Sequence, residues 1–495
     1  MEKVDFNKSL KKNYILNTLL LLANVLCPLV TFPYVSRVLL PSGTGRVSFA
    51  TSIVSYFLLL AQLGIPTYAI RELAKVRDNK EKLSKTTKEL FLINFSMSII
   101  SILLLIVTVL FIPKLRDDKI LFLVLSTGIL FQPLGMEWLF SAIEQYSYIT
   151  KRSLLFKLLS LLLTFLLIHK QEDYIIYGGI SVFSTSASYL LNFFYARKFI
   201  DFKKVNELNI KHHFKGILVF FAMTCATTIY INLDSVMLGF IKNEDAVGIY
   251  NTAVKVRTIL LTIVTSVGTV VLPRATNYIK NNRLSDYWSL IKKSMSFVLM
   301  TAIPLTIYFI IFSKESILLL AGSDYLDSVL PMQIILPTLI IVGISNVTGI
   351  QILIPMGKEK IVLLSEVIGA IVDFVLNIFL IIKYGPAGAA FATLIAEIFV
   401  ALFQMIFIKK EVISVFKNKD ILKNLIASVL ASFFVIFIFK LEMKPIFIML
   451  ISCCIYFFIY FLLLLLFKNT LLREIINYLI RILKKLFKER KNAKS

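Results

Sequence analysis

The sequence predicts an all-α, polytopic membrane protein of about fourteen helices, and three observations lead there. The 495-residue chain is 58% hydrophobic and only 17% charged, with a mean hydropathy of +0.81. Soluble domains are nearer half apolar and a quarter charged. The apolar residues fall in uninterrupted runs of about 20 residues, the length that crosses about 30 Å of hydrocarbon as a helix. Positive charge then alternates between the breaks separating these runs. Gly and Pro number only 18 and 13, which excludes collagen-like and disordered classes.

Taken in order, the candidate spans are 14–36, 48–70, 89–112, 120–140, 153–168, 174–195, 216–241, 249–272, 289–312, 329–356, 361–383, 386–408, 421–439 and 445–467. The fifth is short and interrupted by Lys157. Alternate connecting segments, counted from the N-terminus, hold 37 of the 54 Lys and Arg, against 10 in the other set. Cationic loops resist translocation, so both termini are expected in the cytoplasm. The connections are too short to fold as separate domains. The net charge of +24 therefore records topology, and no nucleic-acid partner is expected. Cys27, Cys225, Cys453 and Cys454 lie in apolar runs without metal or disulfide spacing and read as small hydrophobes. The first run follows a Lys-bearing start and outlasts a signal-peptide core, so no cleavable signal is expected.

After Phe467 the chain turns basic and amphipathic. Leu472, Ile475, Ile476, Leu479, Leu483 and Leu486 share a helical face, while Lys484, Lys485, Lys488 and Arg490 fall mostly elsewhere. That pattern predicts an interfacial helix on anionic membrane lipid.

A shift of 203 residues superposes Gly45 on Gly248, Ala50 on Ala253 and Arg71 on Arg274. It also maps the first two spans onto the seventh and eighth. Six spans separate the copies, an even number, so the halves share one orientation. The resulting division is 1–200 as an N-lobe of helices 1–6, 201–410 as a C-lobe of helices 7–12, 411–467 as helices 13–14, and 468–495 as the basic tail.

Ionisable groups within spans are costly and mark functional positions. Asp234, Asp373, Asn377 and Thr393 fall in one layer, roughly 9–15 Å below the outer surface at the helical rise per residue. Asp373 and Asn377, spaced i, i+4, share a face. Such oxygens suit a hard cation such as Na⁺, or a proton site. Interhelical hydrogen bonding is the alternative use. A second set is cationic: Lys255 and Arg257 lie deep in the eighth span, and Arg37 lies near the outer end of the first. They would hold a phosphate-bearing ligand, or else snorkel or pair with Asp234. Glu137 in the fourth span faces a cavity on this reading, while Glu144 is a loop charge. Gly64, Pro66 and Pro304 mark bends.

Catalytic constellations are absent. His169, His212 and His213 fall in predicted loops, and no Walker loop, G-x-S-x-G or Cys/His metal spacing occurs. No enzyme activity and no cofactor are expected beyond a coupling ion, Na⁺ or H⁺.

Four segments carry a resemblance: FPYVSRVLLP from Phe32, MEWLFSAIEQYSYIT from Met136, LDSVMLG with VGIYNTAVKV from Leu233 and Val247, and KYGPAGAAFATLIAE from Lys383. The chain resembles the polysaccharide-repeat flippases of the multidrug/oligosaccharidyl-lipid/polysaccharide exporter superfamily, through essentially its first twelve spans. The resemblance implies two six-helix lobes in a V about a cavity, in a bacterial cytoplasmic membrane. It implies alternating access that carries undecaprenyl-pyrophosphate-linked repeat units outward, of capsule, O-antigen or teichoic-acid type. Lipid-linked oligosaccharide, membrane lipids and polysaccharide polymerase machinery are the partners it implies. In the related flippase for the peptidoglycan precursor, a sodium site uses acid and amide residues of the seventh, eleventh and twelfth helices. Asp234, Asp373, Asn377 and Thr393 match it, with acid and amide exchanged on the eleventh. Thr31-Phe32 stands where that relative has an Arg-Asp pair, against the same substrate. The rivals are a multidrug and toxin exporter, which usually has twelve spans and an acidic cavity, and a membrane scaffold for polymer enzymes.

Overall fold

The computed structural model of the chain describes residues 6–201, 208–408, 420–440, 443–477 and 480–481, with side chains from residue 26 onward except at 439–440. Each predicted span falls on a helix or a run of helices, and no strand occurs among the described residues. Nine helices there are long and apolar enough to cross a membrane, or ten if Ser323–Ile335 and Thr338–Leu353, bent by 45°, form one span. One of the nine, the run Leu26–Val76, is interrupted at Leu40 and at Gly64. The segment Tyr146–Leu167 carries Lys151, Arg152 and Lys157, and Asp420–Ile436 has only 17 residues. Phe111, Ile231, Phe379 and Phe458 are largely exposed, which suits a lipid surround and would be unfavourable in water.

The breaks follow from proline and glycine chemistry. Leu40 (φ 60, ψ 177) precedes Pro41, whose ring disfavours a helical residue before it. Gly64 adopts the left-handed region and Pro66 opens the next helix, Ile65–Val76. Pro304, by contrast, sits inside the unbroken helix Leu284–Ile311. It lacks the N–H that would bond the carbonyl four residues back. That carbonyl, of Met300, instead accepts from the Tyr460 hydroxyl at 2.8 Å.

Two compact units emerge. The first comprises Met1–Asn251, Leu320–Tyr325 and Asn377–Ala389, and the second comprises the remainder. Within the first, Tyr68, Leu73, Leu90, Trp138, Phe140 and Ile217 form a buried core. Its helix starts at Pro41 and Glu244 approach very closely. A Cβ on Gly45 would overlap the Glu244 carbonyl and lie 2.9 Å from Gly248 N, and a Cβ on Gly248 would overlap the Pro41 carbonyl. The repeat register maps Pro41 onto Glu244 and Gly45 onto Gly248, so one contact occurs twice about a local pseudo-twofold axis.

The second unit has two cores, one centred on Tyr287, Ile291, Val298 and Leu353 and one on Tyr308, Tyr456 and Tyr460. A π-helix, Asn346–Leu353, runs past the first. Its buried Gln351 accepts from Ser294 Oγ at 2.6 Å, and Thr348 Oγ donates to Gln404 at 2.6 Å. Residues 470–477 are helical, and Leu472, Ile475 and Ile476 pack on the second core while Arg473 and Glu474 are exposed. This first part of the tail thus turns its apolar face to protein. Leu479, Leu483, Leu486, Lys484, Lys485, Lys488 and Arg490 lie outside the described residues.

Candidate functional site

A tight turn at Lys242 and Asn243 joins the helices Lys211–Ile241 and Glu244–Lys280 into an antiparallel hairpin. Asn243 Oδ1 accepts the Ala246 N–H at 2.9 Å and starts the second helix. The hairpin places Asp234 opposite Tyr250 and Ser235 opposite Asn251. Asp234 is buried, and its Oδ2 accepts from the Tyr250 hydroxyl. Ser235 and Asn251 hydrogen-bond beside them at 3.0 Å. Lys242 Nζ donates to the Ile382 carbonyl at 2.8 Å and secures the end of the helix Glu359–Tyr384. Lower on that helix, Asn377 Nδ2 donates to Asp234 Oδ1 at 2.6 Å.

Asp234, Tyr250 and Asn377 thus meet from three helices. The amide of Asn377 is oriented by its donor nitrogen, which leaves Oδ1 buried and without a hydrogen-bond partner among the described residues. Buried carbonyl oxygens of this kind call for an explanation. An electropositive species beside Asp234 would supply one. Asp373 is fully buried one turn earlier on the same helix, and Thr393 is buried on Pro386–Ile406. Both belong to the second unit.

The cationic residues divide. Arg257 is committed: Nη2 bonds Glu397 Oε1 at 3.2 Å, and Nε donates to Thr338 Oγ1 at 2.7 Å. Both side chains of the ion pair are largely buried. Lys255, two residues earlier and so about 200° round the helix, is half-buried and points elsewhere. Arg37 is exposed and folds back to donate to the Pro33 carbonyl at 2.5 Å. Glu137 is half-exposed and accepts from the buried Arg152 at 2.5 Å. Arg152 also donates to Asn192 Oδ1, and Asn192 Nδ2 donates to the Gly135 carbonyl at 2.5 Å. That carbonyl closes the helix Lys119–Gly135, which ends because Met136 is left-handed (φ 39). Glu144 forms an exposed pair with Arg77 at 2.6 Å, of a kind worth little to stability.

The sequence pattern of the family described as "Polysaccharide biosynthesis protein" matches residues 10–279, more than half of the chain. The chain belongs to that family. A curated relative, the "Putative O-antigen transporter" of Escherichia coli (strain K12), is 24% identical over 406 residues, covering 81% of this chain and 97% of the relative. Among solved structures, "Lipid II flippase MurJ, inward closed conformation" superposes with a TM-score of 0.74 at 20% identity, covering 93% of this chain and 100% of that one. An inward-facing multidrug resistance MATE family transporter of the MOP superfamily gives 0.62 at 12% identity, over 80% and 96%. These likenesses show that the chain shares its fold with those two solved structures.

In this family member, sequence reasoning missed four participants. Tyr250 carried no signal, being an aromatic near a helix end. Glu397 was findable: it is an acid within the twelfth span, four residues after Thr393. Arg152 was assigned to a loop, although a helix from Tyr146 puts it within the structure. The fourth is His213, which is not in a loop. It lies in the first turn of Lys211–Ile241, buried between Tyr68 and Glu89. His212 shares that helical turn, while His169 is in a loop as expected.

Proposed function

We propose that this protein is a flippase for lipid-linked polysaccharide precursors in the bacterial cytoplasmic membrane, with both termini inside. The observation that carries the reading is a relative named as an O-antigen transporter, matched over nearly its whole length, on a fold shared with a lipid II flippase. A pyrophosphate and a glycan cannot cross hydrocarbon unaided, whereas a polyprenyl tail remains in it. The substrate class is undecaprenyl-pyrophosphate-linked repeat units of capsule, O-antigen or teichoic-acid type, and the work is transport rather than catalysis.

The test is depletion, followed by extraction of lipid-linked glycans from the inner leaflet. Accumulation of lipid-linked repeat units, relieved by the wild-type gene, is expected. Unchanged lipid-linked pools with impaired efflux of cationic dyes would overturn the reading in favour of a multidrug exporter. Lys255→Ala should relieve accumulation poorly and Lys255→Arg nearly fully, because charge is retained. Arg257→Ala is a poorer probe, because its removal would strand the buried Glu397.

Coupling to Na⁺ or H⁺ is part of the proposal. Asp234 with the unsatisfied Asn377 Oδ1 fits a hard cation. Bound there, such a cation would offset the buried carboxylate charge. A ligand of the native state alone stabilises that state. Purified protein titrated with Na⁺ against K⁺ at constant ionic strength should therefore melt later, by about 3 °C at a hundredfold excess over Kd. A midpoint that follows pH but not Na⁺ would assign the site to protons.

A further inference from the structure

At the end of the molecule predicted to face the cytoplasm, the helices Ile65–Val76, Lys80–Phe111 and Lys211–Ile241 enclose a cavity of about 340 Å³. Glu72, Lys75, Lys82, Lys85, His212 and His213 line it above Glu89. The position of the lysines and the commitments of the two acids decide what it can hold.

Both carboxylates are engaged. Glu72 binds Lys75 at 2.8 Å and Arg71 at 3.3 Å. Its carboxylate is thus taken up by Lys75 and Arg71. Glu89 is almost fully buried, accepts the Asn209 N–H at 2.6 Å, and lies 2.9 Å from His213 Nε2. The other ring nitrogen of His213 shares a 2.9 Å hydrogen bond with the Tyr68 hydroxyl. This Tyr–His–Glu chain is a rigid, satisfied floor.

The cations on the walls are not similarly engaged. Lys82 and Lys85 are three residues apart and so share a helical face. Among the described residues, neither ammonium is ion-paired. His212 stands across from them, exposed at its own helix start. Two long helices also begin at this cavity, at Lys80 and Lys211, and their N-terminal dipoles add to the same sign. Two uncommitted lysines and a histidine around a small polar cavity suit an anion with several strong acceptor oxygens.

We propose that this cavity binds a phosphate-bearing anion, held by Lys82, Lys85 and His212, as an inner-leaflet lipid headgroup or as a free phosphate species. The site goes beyond the export reading and does not depend on it.

The experiment has two arms on the full chain. In neutral detergent, inorganic pyrophosphate is titrated at constant ionic strength and followed by calorimetry and by the melting midpoint. In phosphatidylcholine nanodiscs, the midpoint is read with and without phosphatidylglycerol. Saturable stabilisation is expected in at least one arm, and the arm that responds names the source. The double substitution Lys82→Ala with Lys85→Ala should weaken it at least tenfold. Lys80→Ala, on the same helix but outside the lining, should leave it unchanged. No saturation in either arm would overturn the site. So would saturation that survives the double substitution, whose ligand-free midpoint reports whether the variant is folded.

Discussion

Gly248→Ala is expected to remove both folded protein and export. A Cβ there would overlap the Pro41 carbonyl, and one on Gly45 would overlap the Glu244 carbonyl, so neither neighbour is a side chain that can swing aside. Close backbone approach between helices is what small residues permit in membranes, where no hydrophobic drive between helices compensates for a poor fit. Relief requires moving a whole helix start, at a cost on the order of 3 kcal/mol or more. Gly45→Ala should fail in the same way, because the repeat makes it the same contact. Gly179→Ala is the control. Its Cβ would meet Val124 at an ordinary 3.5 Å, and helical propensity there favours Ala by about 0.5–1 kcal/mol. Yield and monodispersity by size exclusion, with glycan export in depleted cells, provide the measurement. Wild-type yield and export for Gly248→Ala would show that the helix starts are not so closely packed.

The same two glycines show how far the sequence could be read. As letters, Gly45 over Gly248 was one weak identity in a thin alignment. Physically, both sit in a contact that excludes any Cβ, and such a contact is invisible until the chain is folded. The spans were readable because hydrocarbon thickness imposes a length on each apolar run, irrespective of packing. The break at Gly64 is legible from Gly64 and Pro66, whereas Pro304 sits in an unbroken helix, and Met136 and the π-helix at Asn346–Leu353 have no comparable local mark.

For the candidate site, depth along a helix was readable from residue counts, which put Asp234 and Asn377 in one layer, and they do bond. Partner identity was not. The sequence leaves Arg257 as a phosphate ligand, a snorkelling cation or a partner of Asp234, and it bonds Glu397 and Thr338. That choice depends on helix rotation, which a single amphipathic pattern in lipid leaves nearly free. His213 was read as a loop residue because the helix begins earlier than its apolar run. His213 in that polar first turn is buried between Tyr68 and Glu89, and neither is near it in sequence.

Asp234→Asn is expected to reduce export at least tenfold while leaving protein abundance within about twofold, the former equivalent to about 1.4 kcal/mol of lost coupling. The substitution keeps size and one acceptor, so Asn377 Nδ2 can still donate to it, while the charge is lost and the second oxygen becomes an amide donor facing the Tyr250 hydroxyl, which can accept. Tyr250→Phe removes a donor to Asp234 and keeps the charge. It should cost about 1 kcal/mol of stability yet preserve the response to Na⁺. Asn377→Leu strands Asp234 Oδ1 without its donor and removes the unsatisfied Oδ1 in one step, so it should lose both stability and ion response. The three variants therefore separate a structural clasp from an ion site. A clasp predicts that melting midpoints fall in all three and that none changes its dependence on Na⁺ or pH. An ion site predicts that Asp234→Asn and Asn377→Leu lose that dependence and Tyr250→Phe keeps it. Ion binding can drive a transport cycle only through differential affinity for its states, so export should fall where ion response falls. If Asp234→Asn exports normally, or if all three variants respond to Na⁺ and pH as the wild type does, the carboxylate serves packing alone and coupling must reside elsewhere.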